Sequence, residues 1–264
     1  MGVNLGATTL LKFGVLLSVL ACSACVTTEG RVFTNEASPE EAMKARVQLA
    51  RSYIGEQNWE DAKRNLRQAA EISPNSPEVH EAFALVYQST GEFELAEESF
   101  KRALRLKPDF SRARNNYAAF LFSQRRFEEA EEQLELVVAD TLYAGRPRAF
   151  INLGLCRVQL GDFEGARAAL GRALTMDRNN RLALLELAHV EYELENWSAA
   201  ETHLSSYRAL VRQQSPRALW LGVRLAHQLG DQNGEASRAM ALRNLYPDSA
   251  EYQAYEQAVQ SGEL

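Results

Sequence analysis

The sequence predicts an all-α solenoid of about six helix–turn–helix units stacked in series and closed by a C-terminal capping helix. Three observations predict it. Aromatic, alanine and proline positions recur every 34 residues. Inside each unit apolar residues return every three or four positions, the spacing of an amphipathic helix. The composition is dominated by Ala, Leu, Glu, Arg and Gln, which are good helix formers. Most of the 15 glycines and 7 prolines of the 264-residue chain fall at regular intervals between the apolar stretches.

The first residues stand apart from this pattern. Lys12 is the only charge before Glu29, and the apolar run Phe13–Leu20 follows it. A basic start, a short apolar run and small residues make a secretory signal. The run is too short to span a bilayer, which takes about 20 apolar residues. A plain signal peptide would be cut near Ala24. The segment also resembles a bacterial lipoprotein signal, in which small residues precede an acylated cysteine. Cys25 follows Cys22-Ser23-Ala24, whereas Cys22 follows Val19-Leu20-Ala21, with a bulky Leu20 where a small residue is usual. Cys25 is therefore the expected lipidation site and Cys22 the runner-up. Residues 1–24 are then the signal peptide and 25–37 a flexible tether. Cleavage at Cys25 leaves Cys156 as the one other thiol, so the mature fold does without an intramolecular disulfide. Val26 follows Cys25 where an Asp would signal retention at the inner membrane; the resemblance implies the outer membrane, held by a multiply acylated anchor.

Residues 38–264 carry the repeats as a single domain. Trp59, Phe93 and Phe127 share one register, as do Ala62, Ala96 and Ala130, and Leu66, Phe100 and Leu134. The units run 43–76, 77–110, 111–146, 147–180, 181–214 and 215–248, with the cap at 249–260. The third unit lacks a closing proline and holds two extra residues near Gly145-Arg146. The sixth needs one inserted residue near Gly234. This period and residue pattern resemble the tetratricopeptide repeat (TPR), and the resemblance implies a right-handed superhelical TPR solenoid.

The spacing has a physical reason. A helix pair cannot bury its apolar face alone, so stacked neighbours build a continuous core. Small residues such as Ala50, Ala84, Ala118, Gly154, Ala188 and Gly222 let helices A and B approach closely. Tyr53, Tyr87 and Phe100 fill the space between neighbours. In the fourth unit Arg157 stands where an aromatic is usual, which is expected to weaken that helix contact. Ser38-Pro39, Ser76-Pro77 and Ser215-Pro216 pair an N-cap serine with a proline in the first helical turn. Gly91, Gly161 and Gly230 fit the turns between helices A and B, where a left-handed residue ends a helix. Cys156 falls in an apolar helix pattern and reads as a small core residue.

The formal net charge is −6, with both signs interspersed. Nucleic-acid binding usually selects a basic face, and none is evident. The four histidines do not pair with one another or with a cysteine at metal-ligand spacing. No phosphate loop or nucleophile motif is present. Glu128-Glu129 and Glu131-Glu132 read as a solvated face. The expectation is a protein-binding module without enzymatic activity, cofactor, metal or small-molecule substrate.

By resemblance to TPR proteins, the ligand-facing positions lie on helix A of each unit. They bring forward Leu85, Asn115, Asn116, Ala119, Phe122, Arg148, Ile151, Asn152, Leu155 and Leu185 as a groove mixing apolar area with side-chain amides. Asn116 and Asn152 share one repeat position, at which peptide-binding TPRs contact the peptide backbone. The cations needed for a full carboxylate clamp are not all present, so an extended or helical apolar segment is the expected ligand. Some of these residues would instead be buried between helices.

Several longer stretches resemble one family. Cys25–Thr28, Asn115–Leu121, Arg126–Ala130, Asp140-Thr-Leu-Tyr143, Asn152–Leu155, Leu221–Ala226 and Leu245-Tyr-Pro247 are similar to the PilF/PilW type IV pilus biogenesis lipoproteins. The Asp140–Tyr143 link is the most distinctive, because generic TPRs close with Asp-Pro there. The resemblance covers nearly the whole mature chain. It implies an outer-membrane pilotin that binds the type IV pilus secretin subunit and promotes its outer-membrane localisation and multimerisation, supporting pilus biogenesis and twitching motility. A generic periplasmic TPR scaffold for another envelope machine is the alternative.

Overall fold

The computed structural model describes residues 38–264. The expected signal peptide 1–24, the tether 25–37 and the lipidation candidates Cys25 and Cys22 lie outside the described residues. Among those residues the protein is all-α, with thirteen helices and no strand. They pair as α1 (Pro39–Gly55) with α2 (Trp59–Ile72), α3 (Pro77–Thr90) with α4 (Phe93–Leu106), and α5 (Ser111–Ser123) with α6 (Phe127–Ala139). Then come α7 (Arg146–Leu160) with α8 (Phe163–Met176), α9 (Arg181–Glu193) with α10 (Trp197–Leu210), and α11 (Pro216–Gln228) with α12 (Gln232–Leu245). The last helix, α13 (Ala250–Ser261), packs against α11 and α12 and sets Tyr255 edge-on to Trp220 at 6.3 Å.

Local chemistry starts and stops these helices. The Ser76 and Ser215 hydroxyls accept the backbone N–H of Val79 and Ala218, with Pro77 and Pro216 in the first helical turn. Asn58, Asp162, Asn180, Asp231 and Ser249 cap other helices in the same way. Gly91, Gly161 and Gly230 close the A–B turns of alternate units with φ of 82°, 77° and 69°. The remaining A–B turns use Gln57, Arg125 and Glu195 at φ 59–60°. A side chain in that region carries a steric cost, and the sequence pattern did not mark these three positions.

The core follows the repeat. Ala62, Ala96, Ala130, Ala166 and Ala200 are fully buried, as are Ala50, Ala84, Ala118 and Ala188 opposite them. Phe100 is fully enclosed, 5.6 Å from the Tyr117 ring and 5.8 Å from that of Phe120. Burying a side chain of this size contributes about 1.5–3 kcal/mol. Gly154 is a glycine because a Cβ there would lie 2.6 Å from Leu170 Cγ.

Two sequence expectations are corrected. Arg157 does not leave a weak contact: its guanidinium donates to Glu131 at 2.7 Å and to Glu135 at 2.9 Å, so α7 is tied to α6 by ion pairs at the register where the first two units carry Tyr53 and Tyr87. The extra residue of the sixth unit does not sit near Gly234. Ser215 already caps one residue later than the 34-residue period sets from Asn180, so the insertion lies in the link after α10.

The link between the third and fourth units is an ordered turn. Asp140 accepts the Ser111 hydroxyl at 2.5 Å and the Leu142 N–H at 3.0 Å. Arg146 donates to the Val138 carbonyl at 2.7 Å and lies over the Phe150 ring. A Cβ on Gly145 would meet the end of the Tyr143 side chain at 2.5 Å, so a larger residue there would have to displace that ring. Among the described residues, no helix is long and apolar enough to cross a membrane.

Candidate peptide-binding groove

The A helices α3, α5 and α7 line up side by side and contact one another in sequence. The distinctive amide and apolar residues fall on α5 and α7. Asn115, Ile151 and Leu185, which share one register, are 3%, 4% and 8% exposed. They sit between helices and offer no open face to a ligand, because the A helices pack at that register. Leu85, Asn116, Phe122, Asn152 and Leu155 are half-buried, and Ala119 and Arg148 are exposed.

The structure brings four of these residues to one place. Ala119, Phe122, Asn152 and Leu155 line a cavity of about 80 Å³ whose remaining wall is Ala118, Leu134 and Cys156. It has room for one aliphatic side chain. The Phe122 ring is held edge-on to Phe127 at 5.2 Å. Asn152 Nδ2 donates to Asn115 Oδ1 at 3.2 Å, so a buried amide orients a half-buried one at the rim. Burial pushes the Cys156 thiol up to about 12, which keeps it neutral and makes it wall rather than nucleophile. Leu85 packs against the same core on the α3 side. Leu185 instead borders a separate, wider recess with Asn180, Leu182 and Tyr207.

Toward the helix N-termini the groove becomes polar. Asn116 Nδ2 donates to Glu81 Oε1 at 2.7 Å. Glu81 is fully buried and forms an ion pair with Arg51 of α1, while Arg112 Nε lies 3.7 Å from its other side. Tyr143 is half-buried. Burial pushes its hydroxyl upward, Arg112 and Arg148 act against that, and Glu81 adds to it. Arg148 has no hydrogen-bond or ion-pair partner among the described residues.

Sequence reasoning missed Glu81, Arg51 and Tyr143. A glutamate within a helix reads as solvated. The available signal was register, since Glu81 occupies the repeat position of Asn115, which the groove pattern had already singled out. Among the described residues, no group of three or more His, Cys, Asp and Glu is placed to hold a metal ion.

Among the described residues, six A–B helix pairs closed by a thirteenth helix, with a groove on the A side, define a tetratricopeptide-repeat protein. Tetratricopeptide repeat models match residues 44–76, 81–147 and 157–221. The chain belongs to the PilF/PilW family of type IV pilus TPR proteins. It is 35% identical over 243 residues to the type IV pilus assembly protein PilF of Pseudomonas aeruginosa, covering 92% of this chain and 96% of that protein. The solved structure of Pseudomonas aeruginosa PilF superposes with a TM-score of 0.78 at 36% identity, covering 83% of this chain and 98% of the other. The crystal structure of PilW, described as a widely conserved type IV pilus biogenesis factor, superposes with a TM-score of 0.73 at 28% identity, covering 81% and 97%.

Proposed function

We propose that this chain is an outer-membrane lipoprotein that binds the type IV pilus secretin subunit through its TPR groove and promotes the secretin's outer-membrane localisation and multimerisation. Acylated Cys25 supplies the membrane address. The α5–α7 groove holds a secretin segment, so the subunit shares that address and its local concentration rises. The protein acts as a scaffold, without catalysis. The observation that carries the reading is the similarity to PilF over nearly the whole chain, together with a half-buried, amide-rimmed cavity on the A face.

The test is co-purification from envelope extracts, followed by secretin fractionation. Wild-type protein should recover the secretin subunit. Phe122→Arg, which puts a charge in the cavity mouth, should lose at least tenfold of it while the helical content stays unchanged, because a desolvated unpaired cation is costly. Cys25→Ser should leave secretin multimers out of the outer membrane. Recovery of another outer-membrane machine without secretin would overturn the reading in favour of a general envelope scaffold.

A further inference from the structure

The α5–α7 groove is polarised along its length. Arg112 and Arg148 hold one repeat position, 36 residues apart, in the first turns of the two helices. One turn on, Asn115 and Asn152 meet at 3.2 Å. Beyond them Phe122 and Leu155 share the apolar cavity. The helices therefore run parallel, with both N-termini at the cationic end, where the backbone adds positive potential.

The charge at that end is not balanced from within. Arg112 is 45% exposed and only 3.7 Å from the nearest Glu81 oxygen, while Glu81 is already paired with Arg51 and accepts Asn116. Arg148 is exposed and unpaired among the described residues. Glu78, in the first turn of α3, accepts the Ser76 hydroxyl at 2.9 Å. Arg112 thus shares the Glu81 carboxylate with Arg51, and Arg148, at the same end of the groove, has none.

The distance between the two ends sets a spacing. Seven helical residues separate Arg148 from Leu155, an axial distance of about 10 Å. An extended strand covers that in about three residues. We propose that the groove selects an extended segment of a partner protein in which an acidic side chain lies about three residues from an aliphatic one, the acid held by Arg112 and Arg148 and the aliphatic group seated in the cavity. Charge complementarity decides the occupant, since a segment without an acid leaves Arg148 unanswered and Arg112 and Arg51 on a single carboxylate. The inference rests on the groove being a protein-binding site, and not on that protein being the secretin.

The test is a phage-displayed library of random dodecamers panned on the full chain, and in parallel on an Arg112→Ala/Arg148→Ala variant. Arg148 is exposed, and Arg112 gives up only a long Glu81 contact and the face of Phe110, so the variant should still melt cooperatively with a small loss of stability. Wild-type selections should converge on an Asp or Glu two to four positions from Leu, Ile, Val or Met. A fluorescein-labelled copy of the most enriched peptide should bind the variant about tenfold more weakly, and lose affinity with added salt. Arg148→Glu should turn the selected acid into Lys or Arg. Failure to enrich any peptide, enrichment without an acid at that spacing, or the same acidic motif on the double variant would each overturn the proposal. So would concentration-dependent self-association in sedimentation that the double substitution abolishes, which would assign the groove to a second copy. The library contains no secretin by design, so a motif recovered here stands even if secretin co-purification fails.

Discussion

Two glycines in neighbouring helices should respond to the same substitution with opposite signs. Gly154 lies in the middle of α7, where an added Cβ would sit 2.6 Å from Leu170 Cγ and 2.9 Å from Cδ2. Leu170 is fully buried on α8, so it cannot swing away without displacing its own neighbours. Contact between carbons is comfortable at about 3.5–4.0 Å, so the overlap is near 1 Å. Overpacking of this kind costs about 1–3 kcal/mol. Replacing a helical glycine by alanine returns about 1 kcal/mol. Gly154→Ala should therefore come out about 1 kcal/mol less stable, lowering the melting temperature by about 2–4 °C. Gly171 lies inside α8, and a Cβ there would meet nothing within 4 Å. Gly171→Ala keeps the propensity gain without the clash, and should be more stable by about 0.5–1 kcal/mol. Thermal and urea unfolding of both variants, followed by circular dichroism, checks the pair. A Gly154→Ala protein as stable as wild type would refute the close approach of α7 to α8. A destabilised Gly171→Ala would refute the open space on α8.

Two further outcomes follow from buried charge. Glu81→Ala removes the acceptor of Arg51 and Asn116 and leaves both polar groups facing the α1–α3–α5 junction, so urea unfolding should show a loss of about 2–4 kcal/mol; a loss no larger than that of an exposed glutamate would remove the junction role. Stability should also fall on acidification. The Arg126 hydrogen bond holds the Glu97 carboxyl down to about 2, so its contribution is full above pH 4.5 and fades as pH drops toward 2. Burial holds His189 down to about 4, helped by Arg217 and Arg224 and despite Glu193 at 3.6 Å. The unfolded histidine takes its proton near 6.5, so folding loses stability between pH 6.5 and 4, up to about 3 kcal/mol. His189→Gln should reduce the slope of melting temperature over that interval, leaving the part due to His80 and His203, which burial also lowers, and the decline below pH 4.5; an unchanged slope above pH 4.5 would remove His189 from the account.

Most of the fold was legible because its determinants are local or repeat at fixed spacing. An N-cap serine before Pro77, a left-handed Gly91 and an alanine at every Ala62-type position act within a turn or between adjacent helices, so their pattern survives in one dimension. Half of the A–B turns were not legible, since Gln57, Arg125 and Glu195 adopt φ near 60° without any glycine to mark them; the packing of the flanking helices imposes that conformation. The groove was legible only as a face. Register placed Ala119, Phe122, Asn152 and Leu155 on it, and the structure gathers those four around one cavity. Register could not tell them from Asn115, Ile151 and Leu185, because burial depends on how closely the next helix approaches.

By itself, the sequence determined the all-α class, the 34-residue repeat and the family, since each is written in spacings along the chain. Only the tertiary structure decided which charges answer one another. Arg51, Glu81 and Asn116 belong to three different units, and Arg157 finds Glu131 and Glu135 on the preceding helix. A buried ion must be matched within a few ångströms, and that distance exists only once the units have stacked.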